Sequence, residues 1–80
     1  MHEMHVIKNL FQDLLKLADE NNTRKITNVY LKMGLFTEIN PEILTYFFKE
    51  QGKGTPLESA KLHFADSDMR ELKLVSFDCE

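Results

Sequence analysis

The chain has a single cysteine, Cys79, and no tryptophan. One cysteine cannot form an internal disulfide, and it excludes a zinc site that is built from cysteine pairs. Because no base lies close to Cys79 in the sequence, a thiol nucleophile is also disfavoured. A lone thiol, together with the absence of an apolar leader at the amino terminus, is typical of a reducing compartment, so we predict a cytoplasmic protein.

Long hydrophobic runs and basic clusters are also missing. No apolar stretch is long enough to span a bilayer. The 10 Lys and Arg residues and 13 Asp and Glu residues give a net charge of −3, without the basic face that nucleic acid or an anionic membrane would require. We therefore expect neither partner. With 80 residues, 42% of them hydrophobic, the chain has the size and composition of one globular domain covering residues 1–80.

The hydrophobic pattern first predicts a helix and a strand. From Met4 to about Asn21, apolar residues recur three and four positions apart, which indicates an amphipathic helix. Residues 25–33 alternate between apolar and polar, with Val29, Leu31 and Met33 on one face, as in a half-buried strand.

A second helix and two further strands are predicted in the rest of the chain. Asn40 is a favoured N-cap before Pro41, and glycines 52 and 54 end the helix. Residues 61–65 and 71–77 alternate again, and the Asp-Ser-Asp turn between them predicts an antiparallel hairpin. We therefore predict an α+β fold, with two helices packed on one face of a three-stranded sheet, in the order helix, strand, helix, strand, strand.

The amino terminus, MHEMH, carries two of the three histidines. His2 is too bulky for routine removal of the initiator methionine, so we expect Met1 to keep a free α-amine. The Met1 amine and the His2 amide close a five-membered ring on a metal, and the His2 amide and imidazole close a six-membered ring. Glu3 can add its amide nitrogen or its carboxylate, and His5 lies one helical turn beyond His2. A deprotonated amide suits square-planar Ni(II) or Cu(II), although two histidines at a frayed terminus are the alternative interpretation.

Other candidate sites are weaker. The sequence GKGT at 52–55 lacks the first glycine and the hydroxyl residue of a phosphate-binding loop, so we interpret it as a helix end and a turn. His63 alternates with apolar neighbours and is interpreted as a surface residue. No set of nucleophile, base and oxyanion donors is apparent, so we predict that the protein is not an enzyme.

Several segments resemble the HypA/HybF family of nickel-insertion accessory proteins for [NiFe]-hydrogenase. They are MHEM at 1–4, KITNV at 25–29, MG at 33–34, INPEIL at 39–44, KGT at 53–55, LESAKL at 57–62 and ELKLVSFD at 71–78. Together they run through nearly the whole chain.

The resemblance also has departures. Family members carry a zinc ribbon with two Cys-x-x-Cys pairs between the last two strands, whereas residues 65–70 form a short connector without cysteine. We therefore expect a nickel-binding domain without structural zinc. Asn40 stands where the family often has an acidic residue near the nickel, and Leu35 stands where a polar residue is common.

The resemblance implies Ni(II) held by the Met1 amine, the His2 amide and side chain, and the Glu3 amide. His5, by its spacing from His2, and Asn40, by its position near the nickel end, are further candidate ligands. The implied partners are a nickel-handling GTPase and the hydrogenase large subunit, with urease as a further target in some organisms. A homodimer is left open. The competing hypothesis is a metal-independent interaction module, or regulatory paralogue, that docks on the maturation machinery.

Overall fold

The computed structural model describes residues 3–80. Its elements are α1 (Met4–Glu20), β1 (Ile26–Gly34), α2 (Pro41–Gln51), β2 (Lys61–Asp66) and β3 (Glu71–Cys79). The predicted α+β class and the order helix, strand, helix, strand, strand are confirmed. Within the described residues, no helix is both long enough and apolar enough to cross a membrane.

Helix α1 packs on the rest of the fold through one apolar stripe. The buried residues of this stripe are Ile7, Leu10, Phe11, Leu14 and Ala18. Their spacing of three and four positions keeps them on one side of the helix, as the sequence pattern predicted. The helix ends at Asn21, whose side-chain amide donates a hydrogen bond of 2.7 Å to the Leu17 carbonyl.

Helix α2 begins at the predicted cap. The Asn40 side-chain oxygen accepts a hydrogen bond of 2.8 Å from the Ile43 backbone N–H, and Pro41 occupies the first helical position. Leu44 and Phe48 are buried, but Ile43 is 36% exposed. Ile43 lies about 100° around the helix from Leu44, so the two cannot share the narrow face that meets the core.

The sheet has the strand order β2-β1-β3, which makes the predicted hairpin wrong. Strand β1 pairs in parallel with β2, from Asn28 opposite Lys61 to Met33 opposite Asp66. On its other side, β1 pairs antiparallel with β3. Strands β2 and β3 follow each other in sequence but lie on opposite sides of β1, so the 67–70 connector crosses the end of β1.

Tertiary packing explains why the connector crosses. Strand β1 carries buried Val29, Leu31 and Met33, whereas no residue of β2 or β3 is fully buried, so β1 occupies the covered centre. The connector passes so close to Gly34 that a side-chain Cβ there would overlap the Ser67 carbonyl. A turn sequence alone does not reveal this passage, because any two consecutive strands can be joined by polar residues.

Both helices contribute to one core on the inner face of the sheet. Phe11 of α1 meets Phe47 and Phe48 of α2 edge-on, with ring centroids 5.6 and 5.2 Å apart. Ile26 lies out of phase with the buried alternation of Val29, Leu31 and Met33, yet it is fully buried. The pairing of β1 with β3 shifts register between Ile26 and Asn28, and this irregularity breaks the simple alternation.

Candidate metal centre

Glu3 directly precedes α1, and its exposed fraction is only 2%. Among the residues that the structure describes, it is the one charged residue that is buried. Its carboxylate reaches the loop between β1 and α2. One oxygen, Oε2, accepts a hydrogen bond of 3.2 Å from the Thr37 N–H. The other, Oε1, accepts one of 3.2 Å from the Ile39 N–H and a further one from the Glu38 N–H. The side chain therefore tethers the start of α1 to the loop that leads into α2.

Arg70 completes the surroundings of this carboxylate. Its Nη2 lies 2.8 Å from Glu3 Oε2, and its guanidinium lies over the Phe36 ring, 5.8 Å from the centroid. The Arg70 side chain is 63% exposed, whereas the Glu3 side chain is buried. A buried carboxylate is tolerated only when its charge and lone pairs are satisfied, and here three backbone amides and one cation satisfy them.

These contacts keep Glu3 ionised. The hydrogen bond from Arg70 lowers the pKa of Glu3 from its ordinary 4.5 to about 2; burial opposes this shift, while the amides of Glu38 and Thr37 reinforce it. At neutral pH the residue is therefore an anion, held in place by charge-assisted hydrogen bonds.

The position of Glu3 limits which of its atoms can serve the predicted chelate. The carboxylate is engaged with the loop and with Arg70, which leaves the backbone nitrogen as the donor of the predicted set. That nitrogen lies 3.5 Å from Glu38 Oε1, a long and weak contact. The other two predicted ligands, Met1 and His2, lie outside the described residues.

The two further candidate ligands, His5 and Asn40, occupy different surroundings. His5 is exposed in the first turn of α1. Asn40 is exposed, and its side-chain oxygen is engaged in capping α2. Between residues 3 and 80, no group of three or more His, Cys, Asp or Glu side chains is arranged to hold a metal ion.

His63 lies on the outer face of the sheet. Its ring stacks on Tyr30 with centroids 4.8 Å apart, and its Nε2 lies 2.9 Å from the Asn28 side-chain oxygen. Asp78 accepts hydrogen bonds of 2.9 Å from the Tyr30 hydroxyl and 3.2 Å from the Asn28 amide, and the bond from Tyr30 raises the pKa of that hydroxyl. The interpretation of His63 as a surface residue is confirmed.

Sequence reasoning missed the contact between Glu3, the 37–39 loop and Arg70. Arg70 is 67 positions from Glu3, and the loop amides are 34 to 36 positions away. Every residue except proline has a backbone N–H, so the sequence does not mark which amides will bind a carboxylate. The only sequence signal near this loop was Asn40, the predicted N-cap of α2, which directly follows the loop.

Comparison with known proteins gives a consistent result. The family model described as "Hydrogenase/urease nickel incorporation, metallochaperone, hypA" matches residues 1–79. A hydrogenase maturation factor HypA from Archaeoglobus fulgidus is 35% identical over 65 residues, covering 81% of this chain and 59% of that protein. The HypA of Aquifex aeolicus is 29% identical over 79 residues, covering 99% of this chain and 66% of that protein.

Solved structures share the fold. The solution structure of the nickel metallochaperone HypA from Helicobacter pylori superposes with a TM-score of 0.74 at 15% identity, covering 96% of each chain. A second solution structure of a HypA protein gives a TM-score of 0.75 at 16% identity, covering 100% of this chain and 97% of that one. In the sequence comparison, by contrast, the chain spans 59% and 57% of the lengths of the first two relatives.

Proposed function

Because this chain belongs to the HypA family of hydrogenase and urease nickel-incorporation metallochaperones, we propose that it binds Ni(II) at its amino terminus and hands the ion on during maturation of a nickel enzyme such as hydrogenase. Nickel is the cargo, and no reaction is catalysed. The observation that carries the proposal is the tether of Glu3, which ties the residue after His2 to an ordered loop.

The proposed ligands are the Met1 amine, the His2 amide and imidazole, and the Glu3 amide. Three of these four nitrogens come from the backbone or its end, so their geometry depends on how the chain is held. Both amides must lose a proton to bind, which favours the square-planar geometry of Ni(II) and makes the affinity fall on acidification. The fixed side chain of Glu3 supports this chelate by reducing the conformational freedom that binding would remove.

The partners and the domain organisation are proposed by analogy with the family. We propose a nickel-handling GTPase and the hydrogenase large subunit as partners, and residues 1–80 as one nickel-binding domain that needs no structural zinc. One core shared by both helices and the sheet supports the single domain, and the lone, exposed Cys79 supports the prediction about zinc. A cytoplasmic location fits the same role.

Nickel titration of tag-free protein tests the proposal, with His2→Gln compared against the native chain, because a bulky residue at position 2 keeps Met1 in place. Outer-sphere partners of metal sites typically contribute ~10–100-fold to affinity, so loss of a direct ligand should cost more than that. His63→Gln makes the same change on the outer face of the sheet and should bind as the native chain does. Equal affinities for His2→Gln and the native chain would contradict the proposal. A residue added before Met1 should also weaken binding, because it converts the amine into an amide.

The alternative, a metal-independent interaction module, predicts a different outcome in cells. If docking on the maturation machinery is the whole function, His2→Gln should mature hydrogenase as well as the native chain does. If nickel delivery is the function, the same variant should lose maturation while it still binds the partner proteins.

A further inference from the structure

We propose that Arg70 is a positioning residue for the nickel chelate: without touching the metal, it holds the Glu3 carboxylate in the 37–39 loop and thereby fixes the Glu3 backbone nitrogen. This inference rests on the proposed function, and it assigns a role to a residue 67 positions away from the chelate in sequence.

Arg70 lies between the start of β3 and the loop that receives Glu3. The residue directly precedes β3, so its backbone is anchored at the edge of the sheet beyond Gly34. Its guanidinium lies over the Phe36 ring and donates from Nη2 to Glu3 Oε2 at 2.8 Å. Phe36, in turn, packs against the core. The donor is therefore oriented by its surroundings, although most of the side chain is exposed.

Charge balance gives Arg70 its effect on Glu3. The Glu3 carboxylate is buried, and Arg70 is its cationic partner. Removal of Arg70 would leave this buried carboxylate without its cation, which is unfavourable. The Glu38 carboxylate also lies 3.5 Å from the Glu3 nitrogen, so it adds negative charge to the same region. Without Arg70, the loop amides alone must hold the anion, and Glu3 is freer to leave the loop.

Release of the side chain alters the chelate because the Glu3 nitrogen and carboxylate belong to one residue. A donor atom that must be ordered at the moment of binding costs affinity, whereas a donor that is already fixed does not. Loss of Arg70 should therefore lower nickel affinity and alter the coordination geometry, in addition to its effect on the stability of the fold.

The test compares Arg70→Gln with the native chain by nickel titration, by the visible absorption of the nickel complex, and by thermal unfolding of the metal-free protein. We expect ~10–100-fold weaker binding, as for outer-sphere partners in general, with a weaker square-planar absorption band. Arg70→Lys keeps the charge and should recover part of the affinity. Arg24→Gln is the matched control, since this exposed arginine follows the far end of α1, about 25 Å along the helix from Glu3.

A double-mutant cycle separates positioning from a general effect of charge. If Arg70 acts through Glu3, then Arg70→Gln should cause no further loss of affinity in a Glu3→Gln background. Arg70→Met, which keeps an apolar stem over Phe36, replaces Arg70→Gln if the latter does not fold. Native nickel affinity and absorption in a folded Arg70 variant, or additive losses in the cycle, would overturn the inference. Failure of the native chain to bind nickel would overturn the proposed function, and the positioning role with it.

Discussion

At the scale of single residues, Glu3 has a role that its place in the sequence does not reveal. The sequence offered its carboxylate as an alternative nickel ligand, but in the fold both oxygens accept hydrogen bonds from the 37–39 loop. The side chain thus serves as an anchor, and the backbone nitrogen remains for the proposed chelate. The same residue connects the start of α1, the loop before α2 and the start of β3.

The anchor predicts a pH dependence of stability. The pKa of Glu3 is about 2 in the fold against an ordinary 4.5, so the unfolded chain binds the proton more readily than the folded chain does. The stabilisation is therefore complete above about pH 4.5 and is lost as the pH falls towards 2. Glu3→Gln should lower the urea midpoint at neutral pH, and the difference from the native chain should narrow in acid.

Glu58→Gln is a matched control for this measurement. The Glu58 side chain is exposed and accepts a hydrogen bond from the Gly54 N–H, outside the Glu3 site. Glu58→Gln therefore makes the same chemical change without touching the Glu3 site. A Glu3→Gln difference that stays constant through this range would contradict the ionic anchor.

At the scale of elements, the start of α2 depends on Asn40. Its side-chain oxygen satisfies the Ile43 N–H, one of the donors that a helix leaves unpaired at its amino end. Ile39, directly before this cap, is buried and also donates to Glu3. The cap therefore orders both the helix and the loop that receives the Glu3 carboxylate.

Removal of the cap should cost stability. Asn40→Ala should lower the free energy of unfolding by about 1 kcal/mol, the typical value for loss of an N-cap. Asn40→Asp keeps the acceptor and should remain close to native. Asn9→Ala makes the same change at an exposed position inside α1, where alanine is the better helix former, so it should not destabilise. Chemical denaturation of the three variants measures the difference, and equal effects of Asn40→Ala and Asn9→Ala would refute the role of the cap.

At the scale of the whole molecule, the crossing of the 67–70 connector over the end of β1 sets the topology. It places β2 and β3 on opposite sides of β1, and it brings Arg70 to the end of the molecule that holds Glu3. If β2 and β3 paired with each other as a hairpin, only one of them could also pair with β1. The site and the topology therefore depend on the same connector.

Gly34 is the position at which this topology can be tested. A methyl group there would overlap the Ser67 carbonyl, so Gly34→Ala should destabilise by ~1–3 kcal/mol, as overpacking does. Gly54→Asn is the control, because no atom lies within 4 Å of the added Cβ and asparagine tolerates the positive φ of 77°. Denaturant unfolding that finds Gly34→Ala as stable as the native chain would contradict a close passage of the connector.

The sequence by itself determined the elements and the class of fold. Apolar spacing located α1 and β1, and Asn40 with Pro41 located the start of α2, because these signals depend on neighbours within a few positions. The amino-terminal motif and the family segments likewise needed no structure to be recognised.

Only the tertiary structure decided the strand order, the burial of Ile26 and the contact of Glu3 with Arg70. Each of these depends on groups that are distant in sequence: β1 between two later strands, a register shift against β3, and a carboxylate 67 positions from its cation. Local propensity does not predict such pairings. They depend on which faces can be buried against each other and on which buried charges can find a partner.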